Sequence, residues 1–327
     1  MAAAQLTWAL FRLLVCILLQ RFAGGQKEYP QQGDRSCMNQ HESEKESQSL
    51  RKTFDEETRK LLNSCTIPRI EWRGIGSSQP WNLPLSDEPY VVQSPHGWNR
   101  EIAQSLERNA LLHSMGNVTC TPSQAGSKRI GHFEMTLAEY LTEWLPRPIS
   151  RNAEENRYVF GEFGEQWAPL RKTYVLPPCE VCSHDAAAVT IGLGGKYSGA
   201  PWHFHNSAFV EVFDGAKYFA FLPPGDPVIE EIEKVMQFNA SMSQFHWHLE
   251  ERPILENKGR LRNMQECVIN PGEILYFPDN WHHGVINLGE YTAFVSSFIN
   301  KDLAKDKSVK TRRPGSTNNF LKLLPPW

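Results

Sequence analysis

Excess positive charge is the first thing this sequence lacks. Its 34 Lys+Arg are outnumbered by 37 Asp+Glu, for a formal net charge of −3 over 327 residues. That excludes the broadly basic surface a nucleic-acid partner needs. The one basic run, Lys301–Arg313, lies near the C-terminus and reads as part of a solvated tail. Long apolar runs are equally scarce. Leu6–Leu19 is apolar apart from Thr7 and Arg12, and the small residues Ala23, Gly24 and Gly25 follow. This pattern predicts a secretory signal peptide over residues 1–25, cleaved before Gln26. No later stretch is apolar for long enough to span a bilayer, so no transmembrane span is expected after cleavage. A KDEL-like ending is also missing, since the chain closes Leu-Pro-Pro-Trp. The expected address is therefore the endoplasmic reticulum lumen or the secreted space, with the tail silent on which.

Cysteine is sparse. Of seven, Cys16 leaves with the signal, and Cys37, Cys65, Cys120, Cys179, Cys182 and Cys267 remain. An oxidising compartment lets them pair, but the sequence does not choose the pairing. Cys179-Glu-Val-Cys182 follows two prolines and lacks the helix start that lowers a redox-active thiol's pKa, so it reads as a structural or local bridge. Asn117-Val-Thr119 and Asn239-Ala-Ser241 are glycosylation sequons, in keeping with a lumenal glycoprotein.

The organisation follows from punctuation and periodicity. Residues 26–64 form a polar arm in which Glu44–Leu62 has too few apolar residues to bury a helix face. Cys65–Arg73 and Glu88–Val92 read as extended. Trp98–His113 has helical spacing through Ile102, Leu106, Leu111 and Leu112. Thr136 and Glu139 make a capping box, and Pro146 and Pro148 stop the helix that follows. From Ala187 onward short apolar runs alternate with Gly, Pro and Asn turns, the pattern of a sandwich or barrel. The expected domain spans 65–300. It comprises an N-terminal α/β part over 65–186 and a barrel core over 187–300, with an insertion at 225–260 that is helical near Val228–Phe238. A basic tail covers 301–327. The fold class is mainly β with flanking helices.

Histidine carries the chemistry. His203 and His205 sit two apart in a strand-like run, which puts both imidazoles on one side. His283 enters eighty residues later, in Pro271–Leu288. Gly272, Pro278, His283 and Asn287 reproduce the spacing of the second cupin motif, with Asn280 in the glycine position. A second pair, His246-Trp-His248, lies in the insertion without that framework and reads as surface or loop packing.

Pro201–Pro224 and Cys267–Asn287 together resemble a jumonji-C (JmjC) domain of the cupin superfamily. With Ile67-Pro-Arg-Ile-Glu-Trp72 and Leu111-Leu112-His-Ser-Met-Gly116, the resemblance covers roughly Cys65–Asn300. It implies a cupin-like double-stranded β-helix, or jelly roll. For active members it implies Fe(II)- and 2-oxoglutarate-dependent hydroxylation or demethylation. By the same resemblance His203 matches the first metal ligand and His283 the last. Lys217 matches the lysine that pairs with the distal carboxylate of 2-oxoglutarate. His282 takes a usually aromatic position and is expected to pack or to support a ligand.

His205 departs from the pattern, because active members carry Asp or Glu there. An imidazole does not offset metal charge as a carboxylate does. Glu211 is the candidate replacement, if Asn206-Ser207 turns the chain so that it returns beside His203. The departure favours a degenerate, non-catalytic interaction or regulatory module with a cupin pocket and a protein partner in the secretory pathway. The alternative is an oxygenase, with iron on His203, His205 and His283, that hydroxylates a lumenal protein side chain. A secretory signal argues against a chromatin substrate in either case.

Overall fold

The computed structural model describes residues 65–72, 82–124, 134–149, 156–161, 164–183, 187–238 and 242–299. The expected signal peptide, the polar arm with Cys37, the Asn239 sequon and the basic tail lie outside them.

A helical layer precedes the barrel. The strands β1 (Arg69–Ile70) and β2 (Tyr90–Gln93) lead into α1 (Arg100–Leu106) and α2 (Arg108–Met115). The helical spacing expected over 98–113 is thus split, because Glu107 leaves helical geometry (φ −54°, ψ 133°) and starts α2. Short strands β3 (Thr119–Cys120), β4 (Ser123–Gln124) and β5 (Met135–Thr136) come next. Thr136 then caps α3 (Leu137–Glu139), which continues as a π-helical turn over Tyr140–Trp144. Both bonds of the expected capping box are present. After β6 (Arg157–Phe160) and α4 (Ala168–Lys172) the barrel strands begin. They are β7 (Ala187–Gly194), β8 (Gly199–His203), β9 (Ala208–Asp214) and β10 (Lys217–Leu222). The insertion supplies α5 (Val228–Phe238), α6 (Gln244–Glu250) and α7 (Arg252–Asn257). The last strands are β11 (Gln265–Ile269), β12 (Glu273–Phe277), β13 (His282–Asn287) and β14 (Thr292–Ile299).

Two sheets face one another. The larger runs β1-β2-β12-β9-β14-β7-β6-β4, and the smaller runs β11-β10-β13-β8. Apart from the parallel β1–β2 pair, neighbours are antiparallel. Period-two alternation sends Val210, Val212, Leu275, Phe277, Phe294 and Phe298 of the large sheet onto Phe219, Phe221, Cys267 and Val285 of the small one. The residues between them along each strand face away. Phe209, Ile274 and Tyr276 pack under the N-terminal segment, and Ile191, Leu193, Ala293 and Val295 pack under the helical layer. The insertion helices build their own core from Leu222, Val228, Ile232, Met242 and Trp247. This is a cupin-like jelly roll, mainly β with flanking helices.

Two disulfides are present among the described residues. Cys65–Cys267 joins the chain before β1 to β11, so it staples the edge of one sheet to the edge of the other. Cys179–Cys182 is the local bridge expected for that motif. Cys120 is buried in the helical-layer core.

Candidate metal centre

The two strand histidines are fixed by register. His203 ends β8 and pairs directly with His283 of β13, and the ladder shifts just beyond, between His283 and Val285. His205 lies past the end of β8, in the turn toward β9. One ligand atom from each of the three lies within 4.8 Å of the other two. Their ring centroids are 4.1 Å (His203–His283), 4.7 Å (His205–His283) and 5.6 Å (His203–His205) apart. Aromatic rings wall the group: Phe277 is 4.6 Å from His283, and Phe298 is 4.6 Å from His205. His205 and His283 are buried, and His203 is half-buried at the rim.

Each ring is set up as a ligand. The Nδ1–H of His203 donates to Pro201 O at 2.6 Å. That of His205 donates to Asn206 O at 2.6 Å, and that of His283 to Trp281 O at 2.9 Å. A carbonyl only accepts, so the proton sits on Nδ1 and Nε2 keeps its lone pair, the tautomer a metal ligand needs. Burial also keeps the rings neutral. It lowers His203 to about 3, helped by the neighbouring His205, and holds His283 well below the usual imidazole range. His205 is lowered to about 4, burial outweighing its bond to Asn206 and the nearby charge of Asp279.

Lys217 opens β10 with its side chain inside the barrel, and only 2% of its surface is exposed. Its ammonium donates to Tyr158 Oη and Asn287 Oδ1, each at 3.1 Å, and lies 3.9 Å from the centre of the Phe294 ring. Both acceptors are neutral, and no carboxylate among the described residues pairs with it. Burial therefore pushes its pKa well below the lysine range. Asn287 is oriented by donating from Nδ2 to Ser198 Oγ at 3.0 Å. Only glycine fits beside it at 194, where a Cβ would stand 2.0 Å from that nitrogen. Tyr158 and Ser198 were not visible as site residues in the sequence. Asn287 was, as the last position of the cupin spacing.

Glu211 is not brought to the histidines. The turn at Asn206-Ser207 exists, but β9 crosses to the large sheet and pairs with β12 and β14 rather than with β8. Glu211 therefore faces out of the barrel, where its carboxylate accepts from Asn99 Nδ2 at 2.8 Å. Burial pushes it up to about 8, against hydrogen bonds from Asn99 and Tyr174. The second His-x-His also reads differently in three dimensions. It lies on α6, where residues two apart do not share a face. His248 is buried beside Arg252 and Tyr218, whereas His246 pairs with the Ser243 cap. His282 lies tilted against Phe204, with ring centroids 4.6 Å apart, and points toward Glu233. Asn117 is exposed in the turn after α2.

Opposed sheets with three converged histidines at one end define a cupin-like class with a candidate metal centre. The family model "Cupin-like domain" matches residues 117–303. The chain belongs to this family, in its JmjC form. It is 31% identical to JmjC domain-containing protein 8 of Rattus norvegicus over 203 residues, which is 62% of this chain and 71% of the relative. The Homo sapiens protein of the same name is 30% identical over 62% of this chain and 72% of its own length. Lysine-specific demethylase JMJ21 of Arabidopsis thaliana is 29% identical over 46% of this chain but only 17% of that protein.

Proposed function

We propose that this chain is a JmjC protein of the secretory pathway that works as a non-catalytic interaction or regulatory module around a ligand-binding cupin pocket. The observation that carries this reading is the donor set. Among the described residues the cluster offers three neutral imidazoles and no carboxylate, and Glu211, the candidate replacement, bonds to Asn99 on the other side of β9. The carboxylate of the usual facial triad offsets one charge of a divalent ion, and here nothing in the ligand set does. The lumenal address is supported by the signal-like N-terminus, the two disulfides and the exposed Asn117 sequon.

The residues nevertheless fit both ligands of the family. His203, His205 and His283 would hold a divalent transition ion through Nε2. Lys217, with Tyr158 and Asn287 around it, fits an incoming carboxylate because its buried ammonium has no anionic partner among the described residues. Fe(II) with 2-oxoglutarate supplies, when bound, the oxidising chemistry of the active JmjC enzymes. The chain's own contribution is to orient three rings, anchor one carboxylate and exclude water with Phe277, Phe298 and Phe221.

Lys217 favours a second reading, an oxygenase acting on a side chain of a lumenal protein. Succinate production separates the two. The mature chain is supplied with Fe(II), 2-oxoglutarate, oxygen and lumenal protein extract. The module reading predicts no succinate above a His283→Ala control. Succinate that depends on His283 would replace it with the oxygenase.

A further inference from the structure

His205 is the ligand whose position the strands do not set. His203 and His283 face each other across a ladder, but His205 lies in the turn beyond it. Three hydrogen bonds tie that turn to the turn before β13. Asp279 Oδ1 accepts from Ser207 N at 2.6 Å and from Ser207 Oγ at 2.7 Å. Asn280 N donates to His205 O at 3.0 Å. Asn280 can present its N–H this way because it adopts a left-handed φ of +65°, which asparagine tolerates better than most residues. Ser207 is held from the far side as well, its carbonyl accepting from Ile299 N at 2.8 Å.

We propose that Asp279 is a positioning residue of the metal site. It locks the His205 segment to the turn before β13, the strand that carries His283, and it returns from just outside the ligand set the negative charge that position 205 lacks. The carboxylate acts through Ser207, two residues from the ligand, so it shapes the site without occupying a coordination position. Outer partners of this kind orient metal-bound imidazoles and strengthen their hold on the ion. This inference rests on the metal-binding reading above.

Co(II) is the probe, because its visible bands report coordination geometry as well as occupancy. The mature chain and three variants are titrated, with thermal melting as the folding control. Asp279→Asn keeps an acceptor for Ser207 but removes the charge. It is expected to bind Co(II) about 10-fold more weakly with unmoved bands. Asp279→Ala loses both and is expected to bind up to ~100-fold more weakly, with shifted bands. Asn280→Gly keeps the left-handed turn and should match the parent. If both Asp279 variants bind with the parent's affinity and spectrum, the inference is overturned while metal binding stands. If the parent chain itself does not bind Co(II), the metal reading falls and takes this inference with it. Should Asp279→Ala fail to fold, Asp279→Asn still decides.

Discussion

His203, His205 and His283 are neutral because they are buried, and this makes the metal-free chain acid-sensitive. Their folded pKa values lie below the ordinary 6.5, at about 3 for His203 and about 4 for His205. Between those values and 6.5 the unfolded chain binds more protons than the folded one, so stability rises with pH across that window. Denaturant unfolding of the metal-free chain should show stability falling as pH drops from 6.5, and the slope should shrink in His203→Phe. Glu211 predicts the opposite sign. Its pKa is raised from 4.5 to about 8, so the folded state binds more protons in between and stability falls as pH rises. Glu211→Gln should flatten that fall and leave Co(II) affinity unchanged. A large loss of affinity would return Glu211 to the metal site. The histidines were legible in the sequence because period two and the cupin spacing are local patterns. The role of Glu211 was not, because it depends on which distant strand β9 joins.

Elements show the same division. The capping box before α3 and the helix at Val228–Phe238 were readable, since caps and amphipathic spacing are written within a few residues. The break at Glu107 and the helical setting of His246 and His248 were not, because tertiary packing decides them. The Cys65–Cys267 staple belongs here too. It closes a span of 202 residues and joins the edge strands of both sheets, next to the Thr66 N–H bond to Glu266 O. Cys65→Ser with Cys267→Ser should lower unfolding free energy by about 2–5 kcal/mol. Chemical denaturation with matched reduced controls measures it. A loss well under 1 kcal/mol would mean that hydrogen bonding and core packing already hold the two edges together.

For the whole molecule, the jelly roll was legible from alternating apolar runs and turn residues, and the family from motifs at both ends of the barrel. Lys217 was legible only through the resemblance; its partner Tyr158 comes from β6, outside either motif, and the surrounding rings come from several strands. On the proposed function the barrel is a working pocket with two ends, three imidazoles at one and a buried ammonium at the other. An anaerobic Fe(II) titration of the chain from residue 26 onward, with and without 2-oxoglutarate, tests this directly through the visible charge-transfer band of the bidentate chelate. The expected result is a saturable band that is lost in His283→Ala and weakened in Lys217→Ala. No band at millimolar 2-oxoglutarate, in protein shown to be folded, would contradict it.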